Sequence, residues 1–222
     1  MITDLLTEHE GRVSVVTSVP STQRGRLKRQ YFQPMSLLEV ELDMRPRASL
    51  QHLRDARLWY PFTTIPFSPA KLSIMLFLAE FLCHSTRGEQ ENPQLFYYVT
   101  NSLRWLDVCT GSFANFHLVF MMRLTRFIGF FPNIDDYHTG DIFDLRAAAF
   151  SPQPPSHADF LDTNDAARIS TLMRMNYESM HLFRMSHNDR NRIVDVLINY
   201  YRLHVEGFPE LRSVEVLKEL WQ

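Results

Sequence analysis

The stretch 113–132, FANFHLVFMMRLTRFIGFFP, constrains the fold of this chain more than any other. Phe113, Phe116, Leu118, Val119, Phe120, Met121, Leu124, Phe127 and Ile128 cover almost every direction around a helix, the pattern of a helix enclosed by neighbours. Its ends are marked. The Ser112 hydroxyl can serve as N-cap, Gly129 can take the left-handed turn that stops a helix, and Pro132 cannot continue one. A central helix wrapped by other helices is therefore the expected scaffold, and function is to be sought around it.

At 222 residues and 45% hydrophobic content the chain can bury a sizeable core, and a small domain joined to a larger one suits it best. No apolar run approaches the roughly 20 residues of a membrane span, and the mean hydropathy is -0.20. The N-terminal MITDLLTEHEGR places acids where a secretory signal would carry basic residues, so a cytoplasmic location is expected. Cys83 and Cys109 both fall in helical patterns and read as small buried core residues rather than a disulfide. The net charge of -2 hides an asymmetry: residues 1–60 hold nine Lys/Arg against seven Asp/Glu, and the remainder is acidic.

In chain order, 12–19 (RVSVVTSV) reads as a strand, and 34–43 (PMSLLEVELD) does so more cleanly, with Leu38, Val40 and Leu42 on one face. Residues 50–60 are open between strand and helix. Between the first two strands lies STQRGRLKRQYFQ, a loop with Arg24, Arg26, Lys28 and Arg29 nearly contiguous. Pro61, Pro66 and Pro69 then interrupt periodicity, with Ser68 as a helix cap and Pro69 in its first turn. The domain boundary is placed there: a small β unit over 1–62 and a larger helical domain over 63–222. Helices are expected over about 69–84, 93–109, 163–183, 187–205 (behind a Ser186-to-Asp189 capping box) and 213–221, besides the central one. Residues 133–161 lack periodicity and read as an irregular insertion.

Several residues invite chemistry. A mobile loop of Arg24, Arg26, Lys28 and Arg29 can hold phosphates bidentately and track a nucleic-acid backbone, or be merely solvated; the residues alone leave both open. Tyr31 and Phe32 could stack on bases, one of them pointing instead into the core. Arg45 and Arg47, flanking Pro46, either extend the basic face or solvate a turn. Asp135 and Asp136 read as solvent-facing acids, and His117 as a satisfied core histidine. Met173, Met175, Met180 and Met185 read mostly as core, although methionines also line adaptable grooves. There is no phosphate-binding glycine loop, zinc-protease motif or nucleophile elbow, so nothing argues for an enzyme.

The order and spacing of several segments resemble the RecO family of bacterial recombination mediators, closest to its Bacteroides-type members. They are LTEHEGRVSVV, the basic loop followed by Gln33-Pro34 and LLEVELD, FLAEFL, PQLFYYV, FANFHLVFMMRLTRFIGFFPN, YYRLH and LRSVEVLKEL. The resemblance spans nearly the whole chain. It implies an α+β protein: an N-terminal OB-like β-barrel of about residues 1–62 followed by an all-α domain. It also implies binding of single- and double-stranded DNA, with Arg24, Arg26, Lys28, Arg29, Tyr31, Arg45 and Arg47 as candidate contacts. Further implications are strand annealing, association with RecR, docking on the acidic C-terminal tail of single-stranded-DNA-binding protein, and assistance to RecA in replacing that protein. A cytoplasmic, nucleoid-associated protein is the corresponding expectation.

Two departures matter. Family members open with a strand and the first half of its partner before the T-E-x-x-G-R segment, which here begins at Thr7, so about 20 residues of an OB barrel are expected to be missing. That would leave an unpaired sheet edge, through a misplaced start or a reduced barrel. Many members also bind zinc through paired C-x-x-C motifs; here Tyr137, Gly140 and SPQPPSH stand in those places, so neither metal nor cofactor is expected. Two other readings are an adaptor that docks proteins without binding DNA, and a metal-dependent hydrolase using Asp135, Asp136, His138 and Asp141.

Overall fold

The computed structural model describes residues 1–17, 29–45 and 47–219. The chain is α+β and divides into two compact units, Met1–Val108 and Cys109–Gln222. The junction expected at 62/63 falls inside the first unit, ahead of two helices.

In the first unit, β1 (Ile2–Leu6) and β2 (Arg12–Val16) form an antiparallel hairpin, and β3 (Leu37–Asp43) pairs antiparallel with β4 (Gln51–Tyr60). β2 meets β4 in parallel, giving the order β1-β2-β4-β3. The ambiguous stretch 50–60 is thus a strand. A closed barrel is not formed among the described residues, because β1 and β3 end the sheet as two edges. One face holds a small core of Val13, Val15, Leu53 and Ala56, against which Leu5, Val40 and Leu42 pack. Of these, Val40 and Leu42 were expected to share a face from the period-2 alternation of β3.

β4 carries two extra residues. Leu37 opposes Tyr60 but Leu38 opposes Leu58, skipping Trp59; Glu41 opposes Asp55 but Leu42 opposes Leu53, skipping Arg54. Each bulge bends the strand and raises its twist. This is also why 50–60 was ambiguous in sequence, since a bulge interrupts the alternation that identifies a strand.

Helices α1 (Pro69–Ser85) and α2 (Pro93–Val108) complete this unit. The Ser68 side chain caps α1, with Pro69 in its first turn, as expected. The proline-rich segment before α1 is held by one residue. Asp107, fully buried near the end of α2, accepts from the amides of Thr63 (2.9 Å), Thr64 (2.8 Å) and Ile65 (2.9 Å) and from the hydroxyls of Thr63 (3.0 Å) and Tyr60 (3.2 Å). Buried Lys71 donates to the Asp107 carbonyl (3.0 Å) and to the Thr64 hydroxyl (2.8 Å). Burial alone would raise the Asp107 carboxyl, but these donors outweigh it and lower it to about 2.

In the second unit α3 (Phe116–Leu124) is the central helix, packed on α4 (Thr163–Arg174) and α5 (His187–His204), and every residue but Arg123 is buried. It is shorter than the pattern suggested. It begins after Asn115 rather than at Ser112, because the Asn115 amide donates to the carbonyls of Met180 (3.3 Å) and Phe183 (2.9 Å) and is held out of the helix. Gly129 takes the left-handed turn at φ 91°, its amide and that of Phe130 both donating to the Thr125 carbonyl at 3.0 Å. α4 also stops early, at Arg174. The Asn176 and Ser179 side chains bond each other's amides (2.6 and 3.2 Å), and the Arg123 guanidinium takes the Met175 carbonyl (2.9 Å), so the backbone turns away. The expected capping box opens α5, with Ser186 and Asp189 bonding reciprocally. α6 (Ser213–Glu219) follows.

The region expected to be an irregular insertion in an all-α domain instead contains a three-stranded antiparallel sheet: β5 (Ile142–Asp144), β6 (Ala149–Ser151) and β7 (Phe160–Leu161), in the order β6-β5-β7. Strands of two or three residues are too short to show a period; Phe143, Leu145 and Phe150 are buried, with Phe143 against Phe150 (4.9 Å between centroids) and against Tyr200 of α5 (5.9 Å).

Candidate nucleic-acid interface

The segment T-E-H-E-G-R is a joint between sheet and helices. The Thr7 hydroxyl donates to the Gly11 carbonyl (2.8 Å) and accepts from the Glu10 amide (3.0 Å), closing the β1–β2 turn. Gly11 has φ 63°, and a Cβ there would lie 2.4 Å from the Gln90 carbonyl carbon, so both conformation and space demand glycine. Arg12 bonds Asp4 (2.8 Å), the Cys83 carbonyl and the Cys83 Sγ (3.4 Å), supplying a cation to the last turn of α1. The Ser14 hydroxyl, with Arg12 beside it, holds the Asp4 carboxyl below its usual value despite partial burial.

Arg24, Arg26 and Lys28 lie outside the described residues. Arg29 is exposed and opens a 3-10 turn, Arg29–Phe32, in which Tyr31 is half-buried and Phe32 packs on the sheet core. Of this aromatic pair, then, Phe32 is the core residue. Arg45 and Arg47 are both exposed at the β3–β4 turn. That turn is held by Gln51, whose side chain bonds the amide (2.7 Å) and carbonyl (3.2 Å) of Arg45 and the Ala48 carbonyl (2.9 Å). Arg47 sits at φ 67°, a left-handed conformation costly for a residue with a Cβ.

Carboxylate pairing separates the arginines of this unit. Arg57 pairs with Glu39 (2.6 Å), and Arg54 lies near Glu41 (3.7 Å) and Asp43 (3.3 Å). Arg29, Arg45 and Arg47 have no carboxylate within salt-bridge distance among the described residues. A cation whose charge is not already neutralised is the kind that gains most from a phosphate.

Trp59, which sequence reasoning missed, is 46% exposed at a bulge of β4, stacked on Phe96 (6.5 Å between centroids) with the Arg104 guanidinium 6.0 Å from its ring. No alternation singles out a bulge residue.

The other candidates separate plainly. His117 is buried and burial pushes its imidazole down to about 3, so it is neutral at physiological pH. Cys109, just past the end of α2, is half-buried and Cys83, in the last turn of α1, is exposed; neither is the buried core thiol expected. Met173, Met175 and Met180 are core, while Met185 lines a groove of about 420 Å³ together with Arg168 and Arg184. Asp135 and Asp136 are exposed, and Asp141 accepts from the His138 amide at 2.7 Å as part of a turn. Among the described residues no group of three or more His, Cys, Asp or Glu could hold a metal ion, and no helix is long and apolar enough to cross a membrane.

The first unit thus holds a small sheet whose flanking turns expose arginines without carboxylate neighbours among the described residues, and comparison with known proteins gives the class. Residues 66–213 match the family described as recombination protein O C terminal. The chain is 50% identical to the DNA repair protein RecO of Phocaeicola vulgatus over 220 residues, covering 99% of this chain and 91% of that protein. It is 49% identical over 221 residues to that of Bacteroides fragilis, with the same coverage, and 30% identical over 228 residues to that of Porphyromonas gingivalis. The chain belongs to the RecO family. That family acts in DNA repair and recombination, and its members are mediators rather than enzymes.

Proposed function

We propose that this chain is a recombination mediator whose sheet, an open OB-like unit of about residues 1–62, binds single- and double-stranded DNA through its phosphates. The helical part over 63–222 docks protein partners. The observation that carries the DNA reading is the set of exposed arginines, Arg29, Arg45 and Arg47, without carboxylate partners among the described residues. Arg24, Arg26 and Lys28 extend that set in sequence, and Tyr31 supplies a ring for base stacking. Contacts of this kind hold a backbone without reading sequence, which suits a protein that anneals strands and works on gapped DNA.

The partners that fit the role are RecR, the acidic tail of single-stranded-DNA-binding protein and, indirectly, RecA, in a cytoplasmic, nucleoid-associated setting. The groove lined by Leu182, Met185 and Ile193 supports tail docking, because its rim carries Arg168 and Arg184. Arg168 is engaged by Asp165 (3.1 Å) and Asp189 (2.7 Å), whereas Arg184 is exposed and pairs with no carboxylate among the described residues. An apolar groove with a cationic rim is also what an adaptor without DNA binding would need.

Titrating the full chain with labelled single-stranded DNA over a range of salt concentrations tests the reading. Replacing Arg24, Arg26, Lys28 and Arg29 by alanine should flatten the slope of log K against log salt by up to about 3. An unchanged slope rejects the loop as the contact, and binding to the acidic tail without any binding to DNA establishes the adaptor.

A further inference from the structure

A chain of charged side chains ties the start of α4 to the start of α5. Asp165, buried in the first turn of α4, accepts from Arg192 of α5 on one carboxylate oxygen (2.8 Å) and from Arg168 on the other (3.1 Å). The Arg168 guanidinium reaches on to Asp189 (2.7 Å), so one buried carboxylate serves two arginines and Asp189 completes the neutralisation of the second. The two oxygens of Asp189 have separate partners. Oδ1 meets Arg168, while Oδ2 accepts from the Ser186 hydroxyl (2.7 Å) and amide (3.3 Å) of the capping box. The Ser186 hydroxyl, with Arg168 beside it, holds the Asp189 carboxyl below its usual value. Arg168 and Asp189 both line the groove of about 420 Å³, whose apolar wall includes Leu182, Met185 and Ile193 and whose other cation is Arg184.

Resting on the docking role given to this groove above, we propose that Asp189 is a built-in competitor: an acidic peptide enters by displacing the Asp189 carboxylate from Arg168. Asp165 keeps its hold on Arg168 throughout, so the guanidinium stays at the groove when Asp189 leaves it. Oδ2 keeps its bonds to Ser186, so α5 retains its cap and a single contact is exchanged. One carboxylate replaces another on the same cation, and the exchange therefore adds little net attraction; the surplus comes from Arg184 and the apolar wall. Binding is thereby kept weak and readily reversed. It also favours ligands with several carboxylates, because the first only takes the place of Asp189. The apolar wall suits side chains rather than a phosphodiester backbone, which makes a peptide the occupant.

The test titrates the full chain with a fluorescein-labelled peptide of four aspartates followed by leucine and phenylalanine, with an asparagine version amidated at its C-terminus as the uncharged control. Asp189→Asn keeps an oxygen for Ser186 and should tighten the aspartate peptide by about fivefold, with no gain for the control. Asp189→Glu, which retains the charge, should bind like the parent and shows that the gain does not come from a disturbed cap. In an Arg168→Gln background the gain from Asp189→Asn should disappear. A gain that survives Arg168→Gln overturns the proposal, since Asp189 would then only repel from a distance. So does an equal gain for a single-stranded oligonucleotide, which would make Arg168 a general anion site. If the aspartate peptide binds the parent and Asp189→Asn alike, the competitor is rejected and the docking groove stands; if it binds neither, both are rejected.

Discussion

Asp107 gathers three backbone amides and two hydroxyls onto one buried carboxylate, and its side chain does for the segment 60–65 what a regular element would do elsewhere. Because its carboxyl is lowered to about 2 from an ordinary 3.8, it stabilises the folded state fully above about pH 4, and that contribution disappears as pH falls from 4 through 2. Asp107→Asn should cost about 2 kcal/mol at pH 7 from this term, with a difference from the parent that shrinks in urea melts as the pH is lowered from 4 to 2. Gly11 is the second such residue. Gly11→Ala would force a Cβ against the Gln90 carbonyl in a left-handed backbone, and a loss above about 2 kcal/mol is expected in the same melts. Arg47 is the converse case: Arg47→Gly relieves its positive φ, so stability should rise by about 1 kcal/mol while DNA affinity falls. A fall in both would mean that the left-handed turn is not strained. None of the three roles is visible in sequence. An aspartate ending an apolar helix, a glycine in a turn and an arginine beside a proline are common patterns, and only the partners brought to them distinguish these.

Elements were legible where their signals are local. The Ser68–Pro69 start of α1, the capping box of α5 and the Gly129 turn after α3 each depend on residues within one turn of the chain, and each formed as expected. Ser186→Ala removes the hydroxyl half of the box, leaving the backbone amide of residue 186 to Asp189, and should lower stability by about 1 kcal/mol, read from the shift of the urea midpoint at constant slope. Elements were misjudged where distant groups compete for the backbone. Arg123 draws the Met175 carbonyl across 52 positions and α4 ends there; Met180 and Phe183 hold Asn115, and α3 begins late. β4 was ambiguous because two bulges break its alternation, and β5 to β7 were invisible because each is shorter than the window in which a period can be counted.

At the scale of the whole molecule, residues 66–213 align with the family's C-terminal region while the basic residues assigned to DNA all precede position 62. Purified protein should carry no stoichiometric zinc by elemental analysis, and a chelator should leave its melting temperature unchanged; bound zinc would revive the reading of 133–161 as a ligand site. The sequence by itself determined that the chain is α+β, that 113–132 holds an enclosed helix and that the basic surplus lies in the first quarter. Those are properties of composition and of periods repeated along the chain, which need no knowledge of what lies opposite. Only the tertiary structure decided which arginines already have carboxylate neighbours and which aromatic residue of the pair Tyr31 and Phe32 belongs to the core. Each of those depends on residues far apart in the chain arriving within a few ångströms of one another, and a charge or an aromatic ring acquires its meaning only from what is placed beside it.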